Sequence, residues 1–101
     1  MISRPLISVE EYLASSYEPD CDYVDGHVEE RNLGETAHPR LQLRLGFLLD
    51  KRAASETEVL IAVRIRVGGS RIRVADVCVA ANDSDEPIVT KPPLIYAEVL
   101  P

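Results

Sequence analysis

The sequence predicts a single α/β (α+β) domain in which helices flank a sheet, and three observations carry that prediction. The chain opens on a helix-capping signature, Ser8-Val9-Glu10-Glu11. Two glycine turns, Asp25-Gly26 and Gly68-Gly69, each separate a pair of strand-like runs. Between them lies a long segment with leucines at helical spacing. A chain of 101 residues builds one hydrophobic core. The expected organisation is one partial domain over 1–101: an N-terminal helix and hairpin over 1–35, a long helix over 36–55, and core strands over 58–101.

In the first element Ser8 is placed to accept from the Glu11 amide, and Val9, Tyr12 and Leu13 share one face as far as about Ser15. Pro19 removes a backbone donor and biases Glu18 away from helix, so Tyr17-Glu18-Pro19-Asp20 reads as a break. Asp25-Gly26 lies between Cys21–Val24 and His27–Arg31, and a type I′ hairpin needs positive φ at both turn positions. Residues 32–35 read as a loop.

The long helix starts around Thr36 to Pro39, because proline is tolerated where its missing N–H costs nothing. Leu41, Leu45, Leu48 and Leu49, widened by Phe47, form an apolar stripe, with Arg40, Arg44 and Lys51 opposite. Three strands follow, over Glu58–Val67, Arg71–Ala80 and Pro93–Leu100, with an acidic loop from Asn82 to Pro87 between the last two.

Composition excludes several classes. With 46% hydrophobic and 28% charged residues the chain is neither disordered nor a repeat fibre. A net charge of −6 rules out a global basic field, so any nucleic-acid contact rests on a local patch. An aromatic content of 5% without Trp speaks against a base-stacking platform. No apolar run is long enough to span a bilayer, and the opening residues lack the pattern of a secretion signal. Cys21 and Cys78 are isolated, as buried cytosolic thiols are. A cytoplasmic chain without membrane contact is expected.

Strand parity sharpens the reading. With Gly68-Gly69 as the loop, Arg66 falls opposite Arg71 and Arg64 opposite Arg73, so four arginines share one face. Facing like charges are destabilising, so this face needs counter-anions: a wet surface neutralised by surplus acids, or a phosphate-binding patch. Farther along, Ile72, Val74, Ala75, Val77, Cys78, Val79 and Ala80 are apolar on both faces, as in a covered central strand. Asp76 interrupts them, and a buried carboxylate must be paired, protonated or bound to metal. Glu98 interrupts the last apolar strand in the same way. The pair either converges on a hard divalent cation, or is accounted for by a salt bridge to arginine and by exposure of Glu98 on an uncovered sheet end.

These residues resemble the Uma-type family of inferred restriction endonucleases, a branch of the PD-(D/E)XK nuclease superfamily. The resemblance rests on Ser8-Val9-Glu10-Glu11-Tyr12-Leu13, Tyr23-Val24-Asp25-Gly26, and His38 leading into the leucine helix. It continues through Val74-Ala75-Asp76-Val77 and Pro92-Pro93-Leu94-Ile95-Tyr96-Ala97-Glu98-Val99-Leu100, in one order over nearly the whole chain. It implies a restriction-endonuclease-like mixed sheet flanked by helices, and metal-dependent hydrolysis of DNA phosphodiester bonds. Asp76 and Glu98 would hold Mg²⁺ or Mn²⁺, His38 would be a catalytic candidate or a structural histidine, and DNA would be the partner. Ala75 stands where the family has proline. Leu100 stands where a strand lysine would fall, and neither Lys51 nor Lys91 matches by motif, so a C-terminally truncated domain is expected. The alternative is a non-catalytic interaction or oligomerisation module, with a homodimer as the expected assembly. Arg64, Arg66, Arg71 and Arg73 are the candidate nucleic-acid contacts.

Overall fold

A computed structural model of the chain describes residues 6–18, 20–31, 36–83 and 85–99. Pro19, the loop expected at 32–35, and Leu100 lie outside the described residues. The elements run α1 (Val9–Ala14), β1 (Cys21–Val24), β2 (His27–Glu30), α2 (Ala37–Arg52), β3 (Thr57–Gly68), β4 (Arg71–Ala81) and β5 (Ile95–Ala97). This is an α+β domain with an antiparallel sheet flanked by helices. The parallel component of the mixed sheet is an isolated bridge between Ile65 and Val89.

The sheet order is β2-β1-β4-β3, and β5 also pairs with β4. β4 is therefore central. β3 follows it along its whole length, while β1 and β5 share its other edge: β1 meets Arg71 and Ile72, β5 meets Val77 to Val79. The gap between them leaves the edge of β4 around Asp76 open to side chains.

Local chemistry explains the elements. Ser8 Oγ caps α1 by accepting from the Glu11 amide at 3.1 Å. Asp25 and Gly26 turn the first hairpin with φ of 48° and 91°, the left-handed values a type I′ turn requires. α1 packs Tyr12 against Tyr23 and Ile72, and the Tyr12 hydroxyl donates to the Cys21 carbonyl. Burial pushes the Tyr12 phenol up to about 12, against the pull of Arg64.

Three expectations change. The second turn uses Gly69 and Ser70, with a bulge between Arg66 and Gly68, so Ile65 faces Arg73 and Arg66 faces Ile72. The bulge absorbs the residue that a two-glycine turn would have left in register. The four arginines thus fall into two pairs on opposite faces. α2 is rotated from its expected stripe: it buries His38 and Gly46 and leaves Leu41, Leu48 and Phe47 exposed, Phe47 at 70%. Gly46 faces β3, where an added Cβ would lie at ordinary contact distance, 3.5 Å, from Ile61. The last strand is three residues long, and Ile95 and Tyr96 are exposed, so it is an edge and not a buried strand.

Candidate catalytic centre around Asp76

Asp76 sits in the middle of β4 with 1% of its surface exposed. It lies across from Ala62, where β3 skips a pairing and adopts a left-handed φ of 51°. The irregularity has a consequence for side-chain direction. Ala75 and Cys78 pack in one cluster with Ile65 and Ala80, although simple alternation would place them on opposite faces. The alternation therefore switches at Asp76, and its carboxylate is free to meet groups from outside the strand.

Two donors bond to it, and a histidine nitrogen lies alongside. The Arg31 Nη2 donates to Oδ1 from the residue after β2. The Val99 amide donates to Oδ2 at 2.7 Å, just beyond β5. The His38 Nε2, in the first turn of α2, lies 3.1 Å from Oδ2. That nitrogen is buried yet not aligned for a hydrogen bond. Gln42, one turn along, donates to the Asp76 carbonyl at 2.8 Å and fixes α2 over the strand. Burial by itself would push the Asp76 carboxyl up. The Arg31 guanidinium, the Val99 amide and His38 outweigh burial and hold it below the usual 3.8.

Of the residues singled out in the sequence, the fold brings Asp76 and His38 together and leaves Glu98 apart. The Glu98 carboxylate accepts from the Tyr96 hydroxyl. Tyr96 is the register partner of Cys78, on the side of the sheet that packs against Ile65 and Ala80. Burial and the Glu98 charge push the Tyr96 phenol up.

The arginines are engaged separately. Arg64 stacks 4.7 Å over Tyr12 and donates to the carbonyls of Leu13 and Ser15, closing the C-terminal end of α1. Arg73 pairs with Asp22 at 3.2 Å, whose other oxygen accepts the Val74 amide in the gap between β1 and β5. Arg71 pairs with Asp25 at the exposed turn, and Arg66 donates to the Gly69 carbonyl. Lys91 pairs with Asp83, and Lys51 is exposed in the last turn of α2.

Arg31, Gln42 and Asp22 escaped the sequence reading. Arg31 ends an ordinary hairpin strand and carries no motif. A buried aspartate needing a cation was the signal, but the choice among eleven basic residues is made by topology.

The resemblance implies a divalent cation, and the residues present do not fit one in this arrangement. A hard ion takes about six oxygen-rich ligands. Here both Asp76 oxygens are engaged by donors, Glu98 is turned to Tyr96, and no group of three His, Cys, Asp or Glu side chains among the described residues is placed to hold an ion.

Among solved structures, the chain is similar to a candidate nuclease belonging to DUF820 from Anabaena variabilis ATCC 29413, with a TM-score of 0.65 at 15% identity. The match covers 83% of this chain and 50% of that protein, so the chain spans half the length of its neighbour. At this identity the likeness shows a shared fold. No protein-family model and no curated protein matches the chain.

Proposed function

We propose that this chain is the core of an endonuclease-like domain directed at the phosphodiester bonds of DNA, with Asp76 at its centre. The observation that carries the reading is one buried carboxylate in the middle of the central strand, touched by a histidine from the first turn of the long helix. The fold shared with the DUF820 protein supports it. In this role Asp76 holds negative charge where the strand alternation breaks. His38 offers Nε2 beside it as a proton-bearing or proton-accepting site. Mg²⁺ or Mn²⁺ belongs to the reading as the activator the resemblance implies, and it would enter together with the DNA phosphates, since Asp76 and Glu98 are engaged by other groups in the free chain.

A plasmid-nicking assay with Mg²⁺ or Mn²⁺ tests the proposal. The expected result is nicking that is abolished in Asp76→Ala and reduced in His38→Ala. Nicking undiminished in Asp76→Ala would sink it.

A second reading, a non-catalytic module that associates with another copy of itself, is favoured by two observations. The Glu98 carboxylate is committed to Tyr96, and Leu41, Leu43, Phe47 and Leu48 stand exposed on α2. Absence of nicking together with a stable dimer that Phe47→Glu dissociates would select this reading over the first.

A further inference from the structure

The disagreement between the implied metal and the observed ligands of Asp76 is itself informative. Arg31 follows the last residue of β2, the outer strand of the sheet, yet its guanidinium reaches the central strand. It can do so because β1 pairs with β4 only at Tyr23 and Val24, leaving the β4 edge open beside Asp76. The ion pair is sealed, with side chains 10% and 2% exposed. Each Asp76 oxygen that would face a cation already faces a positively polarised N–H: Arg31 on Oδ1, the Val99 amide on Oδ2. The buried, unaligned His38 Nε2 lies beside the same carboxylate.

We propose that Arg31 stands in the place of a metal ion at Asp76, as a built-in countercation that closes this centre to divalent cations while no DNA is bound. The inference rests on the reading of Asp76 as the functional centre, but it concerns cation binding and not cleavage. A guanidinium supplies a single fixed charge and several donors, which satisfies one carboxylate without recruiting Glu98. Removing it leaves a buried carboxylate uncompensated, which must be neutralised by a proton or by another cation.

The experiment is Mn²⁺ titration of the full chain, read by paramagnetic broadening of the Val99 and Gln42 resonances and by thermal melting. In the unaltered chain, millimolar Mn²⁺ is expected to leave both resonances and the melting temperature unchanged. In Arg31→Gln, Mn²⁺ is expected to broaden both and raise the melting temperature, with affinity at least about tenfold above the unaltered chain. Asp76→Asn in the same background is expected to abolish the response. Arg31→Lys, which keeps the charge, is expected to stay unresponsive. Broadening at Val99 in the unaltered chain overturns the proposal, and this arm holds even where Arg31→Gln fails to fold. A folded Arg31→Gln that ignores Mn²⁺ overturns it as well. Mn²⁺ capture by Arg31→Gln without DNA nicking would sustain the inference while removing the nuclease reading.

Discussion

Asp76 concentrates the electrostatic stress of the molecule at one side chain. Its pKa in the folded chain lies below the unfolded value near 3.8, because Arg31, the Val99 amide and His38 favour the ionised form. A depressed carboxylate contributes stability that is present above its unfolded pKa and lost as the pH falls through its folded pKa. Urea unfolding between pH 7 and pH 2 is therefore expected to show a loss of stability below about pH 4, a loss that is shallower in Asp76→Asn. Arg31→Gln is expected to cost about 3–5 kcal/mol near neutral pH, since it strands a buried charge, and the cost should shrink as the solution is acidified. A second residue-scale strain lies across the ladder. Ala62 holds a left-handed φ of 51° without the freedom of glycine. Ala62→Gly is expected to stabilise the chain by about 1 kcal/mol, read by equilibrium denaturation.

At the scale of elements, the short helix α1 has six residues and cannot persist by helix propensity alone. It is held by Tyr12 against Tyr23 and Ile72, by the Tyr23 hydroxyl donating to the Ile7 carbonyl at 2.8 Å, and by Arg64 at its C-terminal end. Arg64→Ala is expected to cost about 1–3 kcal/mol, through two lost charged hydrogen bonds and the stacking on Tyr12. Arg71→Ala, at the exposed turn, is expected to stay within about 0.5 kcal/mol of the unaltered chain. Parallel urea titrations of the two variants separate a structural arginine from a solvated one. The contrast also shows why strand parity misled. The parity argument assumed an undisturbed ladder, and the bulge beside Gly68 shifted the register by one residue and redistributed the arginines.

Over the whole molecule, the described residues form a slab of 46 × 32 × 17 Å, little thicker than a sheet with one layer on it. That shape leaves apolar area uncovered on α2, at Ile61, and around Leu94 to Tyr96. Such surface favours association. If a homodimer buries α2, sedimentation is expected to show a concentration-dependent dimer, and Phe47→Glu to shift it to monomer with little change in melting temperature. The two cysteines are buried and neither is in a disulfide, and burial pushes the Cys78 thiol up, which makes it unreactive.

Much of the fold was legible in the sequence because it is written in local chemistry. Ser8 with Glu11, Asp25-Gly26, Pro39 ahead of the leucines, and the apolar runs flanking the second turn each act over a few residues. They determined the order and type of the elements, and the isolated acid in an apolar strand marked Asp76 as a residue needing a partner. The tertiary structure alone decided which partner. Arg31 is 45 positions away in the chain, and it reaches Asp76 only because β1 leaves the central strand early. Local pattern specifies what each segment wants, whereas the countercharge of a buried group depends on which distant segments the closed sheet places beside it.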